Sequence, residues 1–149
     1  MRYRDREDVV TDFHKAFNHP VNKSLTQDEL GLRHALIFEE YVELKAEIAA
    51  AMSDVAMYGK VSVTTKARLL KEMADLQYVL SGMAVAMGLP LQEAFNRVHK
   101  SNLSKLGVDG KPQYRDDGKV LKGDNYAPPD METLVEDKSP FAVPGFDYY

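Results

Sequence analysis

Apolar side chains recur every three to four positions along most of the first 105 residues, and strand-like alternation is absent there. That period builds helices. Val9, Val10, Phe13 and Phe17 fit a short first helix over 5–18, ended by His19-Pro20. Thr26 with Glu29 three residues on is a capping-box pattern. From there the run LGLRHALIFEEYVELKAEIAAAM carries a second helix to about Met57, and Gly59 stops it. Thr64 or Thr65 is the expected cap of a third helix that runs to Met87, with Gly88 and Pro90 beyond. Pro90 opens a shorter fourth helix through about Lys105. The pattern predicts an all-α fold, a four- to five-helix bundle with two long members.

After Gly107 the texture changes. VDGKPQYRDDGKVLKGDNYAPPD is rich in Gly and Pro, and Asp109-Gly110 and Asp117-Gly118 are turn dipeptides around which a small hairpin can form. The last twenty residues read as an extended tail whose Phe141, Phe146, Tyr148 and Tyr149 need a surface to pack on. The expected organisation is a helical core over 1–106, with 107–149 as the irregular loop and tail of the same domain. A chain of 149 residues suffices for one such core.

Composition then removes several classes of function. No cysteine is present, which excludes disulfides, thiolate nucleophiles and zinc–thiolate sites. No stretch reaches the roughly 18–20 apolar residues of a membrane span, and the charged start MRYRDREDVV is no signal peptide. A cytoplasmic protein without membrane contact is expected. The net charge of −4 argues against a duplex nucleic-acid binder. A phosphate-binding P-loop is missing. The histidines His14, His19, His34 and His99 share no metal spacing and read as structural or surface groups. Met52, Met57, Met73, Met83 and Met87 read as core filler.

Five carboxylates change the picture. Glu39, Glu40 and Glu43 stand at helical spacing in the second helix, and Glu72 and Asp75 in the third. On a helical wheel Glu72 falls inside the apolar arc of Leu69, Leu76, Val79, Leu80 and Met83, and Asp75 falls at its edge. An ionised carboxylate buried without a partner costs several kcal/mol. Residues 28–57 hold seven acids but only Arg33 and Lys45 as cations. Arg33 or Arg68 could pair with one acid, not with five. The bland alternatives are a solvated acidic face or an Arg–Glu network, and solvated faces usually interleave Lys with Glu. An oxygen-rich cage for hard divalent cations accounts for the set better: Mg²⁺, or Mn²⁺ in its place, with two or more ions held. Such ions neutralise a polyphosphate and polarise water, and a free carboxylate can take the water's proton.

Charge is also unevenly spread. Residues 97–122 hold seven Lys or Arg against three Asp or Glu, which leaves the rest of the chain at −8. This basic segment reads as the wall opposite the acids. Asn102 and Lys105, three apart, share a helix face. Lys119 and Lys122 add positive charge, and Tyr126 can stack or donate a hydrogen bond. For lone lysines a solvated surface role is the ordinary alternative, and Tyr126 can equally anchor its loop.

EEYVE at 39–43 followed by EMAD at 72–75 resembles the signature of the all-α nucleoside triphosphate pyrophosphatases, the superfamily of MazG-like proteins, dimeric dUTPases and phosphoribosyl-ATP pyrophosphohydrolases. The segment VHKSNLSK at 98–105 and GKVLKG at 118–123 are similar to the C-terminal part of MazG-like, phosphoribosyl-ATP pyrophosphohydrolase-like proteins. The resemblance covers most of 5–130. It implies hydrolysis between the α- and β-phosphates, giving a monophosphate and pyrophosphate. It implies metal ligation by Glu40, Glu43, Glu72 and Asp75, with Glu39 able to bind a further ion. It gives Glu40, ahead of Glu39, the task of orienting or deprotonating the water. It implies phosphate contacts from Asn102 and Lys105, and a homodimer or higher homo-oligomer whose pockets are built partly across subunits.

Three functions follow as expectations. The first is a magnesium-dependent hydrolase clearing nucleoside triphosphates, dUTP or another dNTP among them. The second is phosphoribosyl-ATP hydrolysis in histidine synthesis, and the third a non-catalytic helical scaffold that binds metal or nucleotide. The base-reading pocket draws on the N-terminal helix or on a second subunit. Phe13, Phe17 and His14 are candidates for it, although the two phenylalanines also fit the core stripe.

Overall fold

Capping side chains set the helix starts. Asp5 accepts a hydrogen bond from the Asp8 amide at 2.9 Å and begins α1 (Arg6–Ala16). Thr26 and Glu29 form the expected capping box at the head of α2 (Gln27–Tyr58), and Gly59 ends it in the left-handed conformation at φ 71°. The third start differs from expectation. Ser62 caps α3 (Val63–Met87), and Thr65 lies inside the first turn, buried against the Ser62 hydroxyl. Ser62 wins because its amide is itself held by Asp54 of α2 at 2.9 Å, which fixes the turn between the helices. Gly88 closes α3 at φ 71°. α4 (Leu91–Leu103) follows, and then a single turn, α5 (Glu132–Val135), which the periodicity does not reveal.

The computed structural model describes residues 4–136. Its described residues are all-α apart from one antiparallel bridge, Tyr114 with Val120, around the turn that contains Asp117-Gly118. The tail aromatics Phe141, Phe146, Tyr148 and Tyr149 lie outside the described residues. No helix among those described is long and apolar enough to cross a membrane.

The chain divides into two compact units, Met1–Leu91 and Gln92–Tyr149. In the first, α2 and α3 form an antiparallel hairpin and α1 packs on α3. Val10, Ala84, Val85 and Ala86 are the buried apolar side chains among its described residues. Ser81 donates to Glu7 at 2.7 Å, tying α1 down. The link from α1 to α2 is pinned to the end of α3 by hydrogen bonds from the Asn22 amide to the Val85 carbonyl and from the Lys23 amide to the Ala86 carbonyl, both 2.9 Å.

Several apolar side chains are less covered than their periodicity suggests. On α1 the buried positions are Val10 and His14, one turn apart, so the neighbouring stripe of Phe13 and Phe17 lies toward solvent, 38% and 62% exposed. Met52, Met57, Met73 and Leu80 are exposed as well, because α2 and α3 each turn a second apolar face away from their mutual contact. In the second unit Arg97 donates to the Asp130 carbonyl at 2.7 Å and to Thr133 Oγ1 at 2.6 Å, and Ser104 accepts from the Ala127 amide at 2.9 Å. These bonds fold the long loop back on α4 beside a cleft of about 410 Å³.

Candidate metal centre

The α2–α3 hairpin has a regular register. Glu47 meets Arg68 at 3.0 Å, Glu43 stands opposite Glu72, and the Glu40 carboxyl feels the charge of Asp75. Each turn down α2 faces one turn up α3, so the two sequence motifs arrive at the same level of the seam. Glu40, Glu43 and Glu72 each place a carboxylate oxygen within 4.8 Å of the others. Glu72 is buried, as its wheel position requires; Glu40 is half-buried and Glu43 exposed. Asp75 lies half-buried one turn from Glu72, and Glu39 is exposed on α2.

The cluster's electrostatics are strained. Burial first, then the charges of Asp75, Glu43 and Glu39, push the Glu40 carboxyl above the ordinary glutamate value of 4.5. The Glu43 carboxyl is pushed up as well, chiefly by sharing a hydrogen bond with Glu72 and then by burial. Two carboxylates can share such a bond only if one holds a proton.

One cation answers them, and the count over residues 28–57 leaves it out. Lys71 reaches Asp75 at 2.7 Å and Glu72 at 3.2 Å, and these carboxylates raise its own proton affinity. Its place directly before Glu72 was the available signal. Arg68 is engaged by Glu47, and Arg33 pairs with no carboxylate among the described residues. Among the described residues, one ammonium against Glu40, Glu43, Glu72 and Asp75 leaves an excess of negative charge at the cluster. The donor set is all oxygen, the atoms converge, and one is held in a buried position. These residues fit a hard divalent cation.

The basic candidates all belong to the second unit. Lys105 Nζ donates to Asn102 Oδ1 at 2.7 Å, so this pair does share a face. The Gly123 amide donates to the Lys105 carbonyl at 3.0 Å. A Cβ at Gly123 would lie 2.6 Å from the Leu106 carbonyl oxygen, so only glycine permits the approach. That bond brings Lys122 and Tyr126 to the same end of α4, where Lys122 Nζ sits 4.4 Å from the Tyr126 ring centroid. Lys119 lies in the hairpin turn, its amide donating to Asp117.

The sequence model of the phosphoribosyl-ATP pyrophosphohydrolase family matches residues 10–102, a span containing every carboxylate of the cluster. The chain belongs to this family. As a family member it is related to hydrolases of the nucleotide pyrophosphatase type. A solved structure of a provisionally assigned NTP pyrophosphohydrolase from Exiguobacterium sp. 255-15 is 27% identical, with 90% of this chain and 95% of that one covered and a TM-score of 0.45. No curated protein matches the chain in sequence.

Proposed function

We propose that this family member is a Mg²⁺-dependent nucleoside triphosphate pyrophosphohydrolase that cleaves between the α- and β-phosphates, with dUTP or another dNTP as substrate. The observation that carries the reading is the convergence of Glu40, Glu43 and Glu72 within 4.8 Å around a buried carboxylate. Glu40, Glu43, Glu72 and Asp75 hold the metal, and Glu39 serves a further ion. Bound divalent ions supply charge neutralisation for the polyphosphate and a lowered pKa for water. Glu40, whose carboxyl has a raised proton affinity, accepts the proton of the attacking water, with Glu39 as the alternative base. Asn102, Lys105, Lys119, Lys122 and Tyr126 hold the substrate, the first two at its phosphates.

A pyrophosphate-release assay across dNTPs and NTPs with Mg²⁺ tests this; folded protein that releases none from any of them ends the proposal. A second reading, phosphoribosyl-ATP hydrolysis, is favoured by the family's own description, so that compound belongs in the same panel. A metal-binding scaffold without turnover is separated from both by Glu40→Gln, which abolishes hydrolysis and spares the fold and nucleotide binding if the site is catalytic.

The second apolar faces of α2 and α3 need a partner. Ile48, Met52, Val55, Val61 and Leu69 line an apolar groove of about 470 Å³, and its proposed occupant is a second copy of the chain.

A further inference from the structure

Arg33 sits on the α2–α3 seam seven residues before Glu40, so about 10 Å along the helix from the acid cluster. It is 5% exposed. Its Nε is buried with no hydrogen-bond partner among the described residues, and its Nη2 reaches only His19 Nδ1, at 3.5 Å. That distance is at the outer limit of a hydrogen bond, and an imidazole cannot neutralise a guanidinium. Burial works against the Arg33 charge, and the acid working for it is Glu29, whose carboxylate accepts from the Thr26 amide in the α2 cap. A buried, unpaired guanidinium costs several kcal/mol, so a packing role alone does not account for an arginine here.

The surroundings make room for it. A Cβ on Gly82 would stand 3.3 Å from His14 Nε2 and 3.6 Å from Arg33 Nη1, so the bare glycine accommodates both groups. The His14 ring donates from Nδ1 to the Pro20 carbonyl at 2.7 Å, and burial, with a smaller contribution from the Arg33 charge, lowers its affinity for a second proton. Outward from Arg33 come half-buried His19 and then exposed rings. Phe13 lies 5.8 Å from His19, 4.5 Å from Phe17 and 5.7 Å from Tyr78, centroid to centroid.

We infer that Arg33 is an oxyanion site opening through His19 onto an aromatic wall, and that its ligand is a phosphate or carboxylate carried on a flat apolar body. With His19 displaced from Nη2, the guanidinium fork takes the oxyanion through two parallel N–H donors, Nε among them, and the rings of Phe13, Phe17 and Tyr78 cover the body. No metal is required.

The test uses the full chain in EDTA, which makes it independent of the hydrolase reading. ¹⁵N-labelled protein is titrated with inorganic phosphate and with phenyl phosphate while the Arg33 Nε–H resonance is followed. Both should move it saturably, with phenyl phosphate binding about tenfold more tightly because of ring stacking. Arg33→Met should lose the response in a thermal-shift titration. Should that variant fail to fold, the wild-type resonance still decides. An Nε–H signal unmoved by either anion overturns the site. So does a signal that moves only with protein concentration, which would assign the guanidinium to a carboxylate of a second copy.

Discussion

Glu72 is the residue on which the metal centre turns. It is buried among like charges, and among the described residues only the exposed Lys71 offsets it. Glu72→Gln keeps the shape and removes the charge. We expect it to lower pyrophosphate release by more than about a hundredfold. It should also raise the melting temperature of EDTA-treated protein by a few degrees, about 1 kcal/mol, since removing an under-compensated buried charge is stabilising. Lower stability together with unchanged activity would contradict both the ligand role and the strain argument.

The same crowding predicts an unusual pH dependence. Glu40 and Glu43 have folded-state pKa values raised above 4.5, so their protonated forms favour the folded state. Their contribution is fully present below the unfolded value and is lost as pH rises through the folded values. Metal-free protein should therefore lose stability from this pair as pH climbs upward from about 4.5, a trend opposite to acid denaturation. Mg²⁺ should restore more stability at pH 7 than at pH 5, because protons and metal compete for the same oxygens. Thermal melts across that range, with and without Mg²⁺, check the sign.

At the scale of elements, the hairpin and its termini are set by a few local devices. Thr26 with Glu29 and the two glycines in left-handed conformation were readable as residue types at fixed offsets, whereas the Asp5–Asp8 cap of α1 emerged only from the structure. The two glycines should respond differently to alanine. At Gly59 a Cβ meets nothing within 4 Å, so Gly59→Ala should cost only the left-handed backbone, about 1–2 kcal/mol. At Gly88 the Cβ would stand 2.0 Å from Asn22 Oδ1 and 3.3 Å from its Cα. Gly88→Ala should cost more, because it also pushes the pinned α1–α2 link off α3. Denaturant melts of the two variants measure the difference. The cap of α3 was misplaced at Thr64 or Thr65 because three hydroxyl residues compete there. The choice of Ser62 depends on Asp54, which is near it only once the hairpin has closed.

For the whole molecule, the exposed faces are the open question of assembly. Met52, 69% exposed, lines an apolar groove, and surfaces of that kind mark interfaces. We expect the chain to sediment as a dimer or larger, and Met52→Glu to shift it toward monomer and lower its melting temperature. Wild-type protein that is monomeric at every concentration would remove the second copy from the site. The sequence by itself determined the helical class, the start and end of α2 and the two acid motifs, because periodicity, caps and charge spacing are local properties written in neighbouring residues. It also placed Glu72 in an apolar stripe, which one helix suffices to show. Only the tertiary structure decided that Glu43 faces Glu72, that Lys71 is the cation among them, that Phe13 and Phe17 lie outward, and that Arg33 is buried unpaired. Those depend on the register of one helix against another, and register is fixed by packing between residues far apart in the chain.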